Sequence, residues 1–436
     1  MLECNTASDC KSPAAPLCIA GSCVAACQAS TDCQGLAGTP FCQTTSGKCV
    51  ACLDASVCLP DKPVCDATDG ACRRCARDEE CAGGICVEAD GTCVADSDVA
   101  FVDGLAGRDA GACTRTAPCL TLAFAIAQVP VSREHIQLKI LSGTFALTAS
   151  VNLIRTLYLE GSDTIVTGPA AMFTLAQGAS VTLSHVDLRP ASGLVTSVDA
   201  DRTLRLFDVR ATGGFDVKGG SLDVERTTFT SAGGVTCNAG TVSIQRSVFD
   251  DSQLTTMTCA VIVRGTRFGL TSDANKITID SGVLTFENNL MVQADGIADT
   301  MTVIGVAPGS ALRFNTFVNT TVLASDGAAL QCSPLLKVSS NIFAYNSMHP
   351  LTSCDGARYS LLDSAALPQF AMGIGAKQGD RSTFFVDLPG KNFRLSASSP
   401  ARGAAEMGLG VSDDFDGNAR PVPAGSPPDM GAFEAP

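Results

Sequence analysis

The apolar positions of the chain are organised by a phrase that occurs three times in succession: SLDVERTTF from Ser221, TVSIQRSVF from Thr241 and AVIVRGTRF from Ala260. Leu222, Val242 and Val261 open the copies, Val224, Ile244 and Val263 follow two residues on, and Phe229, Phe249 and Phe268 close them. Alternation with a period of two makes each copy a strand with one face turned inward. The phenylalanines recur after 20 and 19 residues (229 to 249 to 268), shorter than a helical-hairpin repeat and matched to one coil of a parallel β-solenoid. Stacking equivalent positions on successive coils buries each apolar column against itself. Every Val, Ile or Phe so buried contributes about 1.5–3 kcal/mol over an exposed one.

The phrase extends with drift in both directions, as VTLSHVDL from Val181, TLRLFDVRA from Thr203, VLTFENNLM from Val283, ALRFNTF from Ala311 and LKVSSNIF from Leu336. Upstream, His135 to Leu147 alternates as a first strand with a turn at Ser142 and Gly143, and Leu157–Leu159 and Ile165–Val166 follow. The phrase N-x-F, in Asn315 to Phe317 and Asn341 to Phe343, resembles the turn of a right-handed parallel β-helix. That resemblance implies a buried Asn amide satisfying neighbouring backbone groups. The expected fold class is all-β, a single-stranded right-handed parallel β-helix.

Two further resemblances bound the solenoid. From Phe101 the text FVDGLAGRDAGACTRTAPCLTLAFAIAQV is similar to the opening segment of bacterial secreted β-helix proteins. Thr121 is placed to cap a helix whose Leu122, Phe124, Ala125 and Ile126 give it a broad apolar surface, suited to cover the first coil's exposed edges. NFRLSASSPARGAA from Asn392, DDFDGNARP from Asp413 and DMGAFE from Asp429 resemble the closing motif of the choice-of-anchor Q family of surface or secreted β-helix proteins, where it ends the solenoid. The expected organisation is an N-terminal region at 1–95, an opening segment with capping helix at 96–135, the β-helix at 136–384 and a closing segment at 385–436.

The N-terminal region brings the cysteines into the picture. Sixteen of the 22 lie before residue 94, in four modules beginning at Cys4, Cys27, Cys52 and Cys75. Such density belongs to an oxidising compartment, where disulfides replace a core that a small module cannot build. The protein is therefore expected at the cell surface or outside the cell. Met1-Leu2-Glu3-Cys4 carries neither a basic nor an apolar leader region, and the expectation is that an export leader has been removed ahead of it. An acid often precedes the second cysteine of a module (Asp9, Asp32, Glu80), and a glycine shortly precedes the fourth (Gly21, Gly47, Gly70, Gly91). Four cysteines allow three pairings. The rival chemistry is zinc, because Cys49-x-x-Cys52 and Cys72-x-x-Cys75 have ligand spacing; those pairs straddle module junctions, and the modules hold no histidine. The spacing resembles the Dickkopf N-terminal cysteine-rich region, and that analogy implies pairing first to third and second to fourth. The six distal cysteines fall into local pairs, Cys113 with Cys119, Cys237 with Cys259 and Cys332 with Cys354. The last two pairs are each 22 residues apart, close to one coil, so they are expected as rung-to-rung staples across about 4.8 Å.

Charge and chemistry exclude more than they select. The net charge of −14 is spread thinly, with no basic run, which removes nucleic acid from the expected partners. No apolar stretch reaches the 18 residues of a membrane span. A polygalacturonase-like site needs paired carboxylates, and Asp250-Asp251 is the candidate on a coil turn. The companion Gly-His-Gly and Arg-x-Lys motifs are absent, and His135, His185 and His349 stand alone; the pair reads as a solvated turn. Arg226, Arg246 and Arg264 fall on successive coils near Asp208, Asp223 and Glu225, which reads as a solvated ion-pair ladder rather than a lyase site. Asp414 and Asp416 sit in a D-x-D-G stretch suggestive of calcium, without the distal Glu of an EF-hand loop. No other cofactor is implied. With no Trp and three Tyr, stacking platforms for sugars are scarce. The expected function is a non-enzymatic extracellular or surface protein, its rod and modules contacting a surface protein or glycan. The alternative is a polysaccharide lyase or glycoside hydrolase.

Overall fold

Leu222, Val242, Val261 and Leu284 stand in one parallel register across four successive coils. The structure is a computed structural model. It describes residues 17–19, 22–24, 26–33, 38–128, 134–138, 144–230, 233–270, 277–293, 300–319, 329–344, 351–354, 356–363 and 373–436. Cys4, Cys10, the turn at Ser142 and Gly143, and His349 lie outside the described residues. Strands make up 47% of the described residues, and they wind a parallel β-solenoid of about 9 turns. The chain divides into two compact units, residues 1–99 and 100–436.

In the second unit, the phenylalanines form one internal column: Leu188, Ala211, Phe229, Phe249, Phe268, Met291, Phe317, Phe343 and Leu362 are paired rung to rung. Phe249 lies between Phe229 and Phe268 with ring centroids 4.5 and 4.9 Å away. Coil length varies, with 18 residues from Leu204 to Leu222, 19 from Val242 to Val261 and 26 from Leu312 to Val338. The helix Leu122–Gln128 starts where Thr121 Oγ1 accepts from the N–H of Phe124 at 3.2 Å, and Leu122, Ala125 and Ile126 are buried in the core of the first coils.

Eight successive coils turn on a left-handed residue. Asp208, Arg226, Arg246, Gly265, Asn288, Phe314, Ser340 and Tyr359 have φ between 45° and 61°, a conformation disfavoured for side-chain-bearing L-residues. The next residue inward pairs the freed backbone. The N–H of Thr266 donates to Asn289 Oδ1, that of Asn289 to Asn315 Oδ1 and that of Asn315 to Asn341 Oδ1, each at 2.9 Å. Asn315 Nδ2 returns donors to the carbonyls of Phe286 (2.9 Å) and Arg313 (3.0 Å). Ser247, Thr266 and Ser360 hold the same place with hydroxyls. The ladder thus includes both N-x-F asparagines and also Asn289, which is followed by leucine.

Two registers differ from the sequence reading. Cys237 and Cys259 are bonded, with Cα atoms 6.4 Å apart, but Cys237 faces Thr256 and Cys259 faces Gly240. The bridge runs diagonally because this coil is 19 residues long, three fewer than the cysteine spacing. Arg264 lies opposite Gln245, so Gly265, not Arg264, shares the column of Arg226 and Arg246. Cys113–Cys119 and Cys332–Cys354 each have Cα atoms 4.8 Å apart.

The closing segment does not sit on the last coil alone. Phe384, Phe385, Phe393, Met430, Ala432 and Phe433 cluster with Leu290, Val292, Phe314, Val318 and Ile342, so the segment lies back along one flank of the solenoid. The N–H of Ala432 donates to Thr316 Oγ1 (2.9 Å) and that of Gly431 to the Ser340 carbonyl (2.8 Å). Strands Leu290–Gln293 and Thr316–Asn319 are consequently buried at every position.

In the first unit the bridges Cys27–Cys42, Cys33–Cys49, Cys52–Cys65, Cys58–Cys72, Cys75–Cys86 and Cys81–Cys93 join first to third and second to fourth cysteines. Both zinc-spaced pairs are therefore divided among different disulfides. The recurrent glycine closes a hairpin and docks on the start of its module. Gly47, Gly70 and Gly91 have φ of 66–69°, and their carbonyls accept from Cys27, Cys52 and Cys75 N–H at 3.1, 2.9 and 3.0 Å. A Cβ would fall within 2.5 Å of Ala26, Val50 and Arg74. Glu80 is held down to about 2 by hydrogen bonds from Arg73 and the Ala76 N–H.

The buried clusters of these modules are Val64 and cysteines. Reduction is therefore expected to unfold residues 1–99 while the solenoid keeps its sheet, each lost bridge costing about 2–5 kcal/mol. After dithiothreitol and alkylation, trypsin is expected to cut at Lys48, Lys62 and Arg77 and leave a fragment beginning near residue 100. Modules that stay resistant would contradict a cystine-built core.

Candidate functional site

Asp250 is an exposed strand-end residue paired between Thr230 and Gly269. Asp251 takes a left-handed turn with φ 53°. The Asp208–Arg226 pair (3.0 Å) and the Arg205 contacts with Asp223 and Glu225 (each 3.8 Å) are partly exposed, each contributing about 0–1 kcal/mol. Arg226 also lies 4.2 Å above the Phe207 ring.

The D-x-D-G stretch is a turn whose acids are occupied. Asp414 accepts from the N–H groups of Asp416 (3.0 Å), Asn418 (2.7 Å) and Glu434 (3.0 Å), and from Asn418 Nδ2 (3.2 Å). Asp416 pairs with Arg394 at 2.5 Å. Asp414 thereby holds the closing segment together. Its neighbour Arg420 is buried against Glu434 at 3.3 Å, donates to the carbonyls of Asp429 (2.6 Å) and Gly431 (3.0 Å), and lies 4.4 Å above the Phe314 ring. Burial pushes Glu434 above its ordinary range and Arg420 below its own.

Where this segment crosses the coil turns it leaves a polar cleft of about 230 Å³. One wall carries Arg246, Arg264, Glu287 and Asn288 from successive turns, and the other is residues 410–415. The opening exists because Gly265 occupies the column between Arg246 and Asn288. Glu287 is buried between Arg264, 2.9 Å away, and Arg313. Asn288 is 4% exposed; its Nδ2 donates to the Asp413 carbonyl at 2.7 Å, while its Oδ1 is buried without a partner. Arg246 is exposed and forms no ion pair among the described residues. The cleft thus offers guanidinium donors and one unmet acceptor, with its two buried carboxylates, Glu287 and Asp414, already paired or hydrogen-bonded. Sequence reading missed it because Asn288 and Asp413 are 125 residues apart; the local sign is Gly265 at the place that Arg226 and Arg246 hold in the two preceding copies.

Among the described residues, no helix is long and apolar enough to cross a membrane. No curated protein matches the chain. Residues 1–99, the span of the disulfide-rich unit, match a family of unknown function, DUF8331.

Proposed function

We propose that this is an exported, non-enzymatic surface or extracellular protein, in which a β-solenoid presents four small cystine modules for adhesion, through contact with a surface protein or glycan. The observation that carries this reading is the state of the acids. Glu287 is paired with two arginines, and Asp414 is occupied by backbone and amide donors, so neither is placed as the free carboxylate that glycoside cleavage requires. The described cysteines are all in disulfides, which supports an oxidising compartment. We further read the modules as akin to Dickkopf-type repeats and the closing segment as of the choice-of-anchor Q type, the latter supporting a bacterial surface setting.

Incubation with acidic and neutral polysaccharides, with and without calcium, is expected to release neither unsaturated nor reducing ends. Release of either would replace this reading with a lyase or hydrolase of the pectate-lyase-like β-helix type.

A further inference from the structure

The cleft between Arg246 and the closing segment has the chemistry of a ligand site, and we propose that it takes an acidic side chain of a partner peptide. This rests on the protein-contact arm of the reading above and names its site. Asn288 lines the cleft, its Oδ1 is a buried acceptor with no donor, and an amide oxygen left unpaired away from water is unfavourable; a ligand N–H that displaces the atoms covering it relieves that cost. Its own Nδ2 is fixed on the Asp413 carbonyl, so the amide cannot turn over to offer a donor instead. Arg246 has no ion-pair partner among the described residues, and Arg264 keeps an exposed flank while bonding Glu287 through Nε. Guanidinium groups bind carboxylates in a bidentate geometry.

The ligand therefore carries a carboxylate beside an N–H donor, as an Asp or Glu residue in an extended peptide does. A sugar acid is less well served. The aromatic ring at the cleft, Phe415, already packs on Phe433 with centroids 5.3 Å apart, leaving no platform for a pyranose face. Asp413 is an exposed acid of the opposite wall, which places the carboxylate at the arginines, away from it, and the N–H at Asn288, where the two walls meet. A divalent cation fits less well, since Glu287 is already held by two guanidinium groups.

The test uses the full chain and a pentapeptide library blocked at both ends, with Asp or Glu at the centre, against the matched Asn and Gln library. The acidic peptides are expected to be retained at least tenfold over the amides, and retention is expected to fall in 0.5 M salt. Gly265→Asn fills the gap: Asn tolerates the left-handed region, the flanking Arg246 and Asn288 hold the same conformation, and a Cβ there meets its nearest atom at 3.8 Å. That variant is expected to abolish retention with an unchanged melting temperature. Arg246→Ala, at an exposed position, is expected to lower retention at least tenfold and stands as the probe should Gly265→Asn fold poorly. Equal retention of acidic and amide peptides, or retention indifferent to both variants, overturns the site. Selective retention of uronic-acid oligosaccharides in place of peptides overturns the ligand class. Protein or glycan binding that both variants leave intact overturns the site while leaving the adhesion reading in place.

Discussion

Phe249→Ala is expected to lower the unfolding free energy of the 100–436 unit by about 3–5 kcal/mol. The ring is fully buried between Phe229 and Phe268, and its removal opens a cavity that the coil cannot close. Backbone ladders fix the spacing of rungs at about 4.8 Å, so the rings above and below cannot approach each other without breaking the hydrogen bonds of Val248–Asp250 to both neighbouring coils. Partial relaxation is what keeps many large-to-small substitutions cheap, and here it is restricted along the solenoid axis. Urea unfolding followed by far-ultraviolet circular dichroism gives the value; a loss under about 1 kcal/mol would reject the stacked register.

Arg420→Ala is the second substitution with a large expected effect, about 3–5 kcal/mol. It leaves Glu434 buried without its cation and removes donors from the carbonyls of Asp429 and Gly431. The loss depends on pH with a definite sign. Burial already holds the Glu434 carboxyl above its ordinary 4.5, and nearby Asp429 pushes in the same direction. With Arg420 gone the carboxyl rises further. A carboxyl raised in the folded state makes that state bind protons more tightly than the unfolded chain. The variant therefore recovers stability as pH falls through the folded value, and the recovery is complete below the unfolded value. The deficit is expected to be largest at pH 7 and smaller at pH 5, and Arg420→Met with Glu434→Leu is expected to regain part of it. A deficit that is the same at both pH values would mean that the lost stability comes from the carbonyl contacts, not from the buried charge.

The solenoid was legible because its information is local. Val224, Ile244 and Val263 alternate within a few residues of Phe229, Phe249 and Phe268, and each coil repeats the pattern before it drifts. The pairing of the modules was legible only by analogy, since spacing alone left three solutions. The closing segment's position was written in the strands it covers. Leu290-Met291-Val292 and Ile342-Phe343-Ala344 abandon alternation and are apolar on both faces, which marks a strand covered on both sides. The turn column gave little sign of itself, because left-handed residues are ordinarily Gly or Asn and this one mixes Gly265 and Asn288 with Arg226, Arg246, Phe314 and Tyr359. The polar ladder enforces that conformation, and no residue type announces it. The cleft depends on two segments that meet only in the folded chain.

The crossed bridges of the modules determine how they respond to tension. Pulled at Cys27 and Cys49, a module does not stretch over its whole sequence, because Cys33–Cys49 takes 16 residues out of the extensible path. What remains is the stretch from Cys27 to Cys33, roughly 20 Å at about 3.3–3.6 Å per residue, and the Cys33–Cys49 bridge with Cα atoms 5.7 Å apart. The modules starting at Cys52 and Cys75 repeat the same crossing. Under a steady pull, this region behaves as a cord of nearly fixed length, transmitting force to whatever it joins without first yielding slack, and it becomes extensible only where a reductant cuts the bridges.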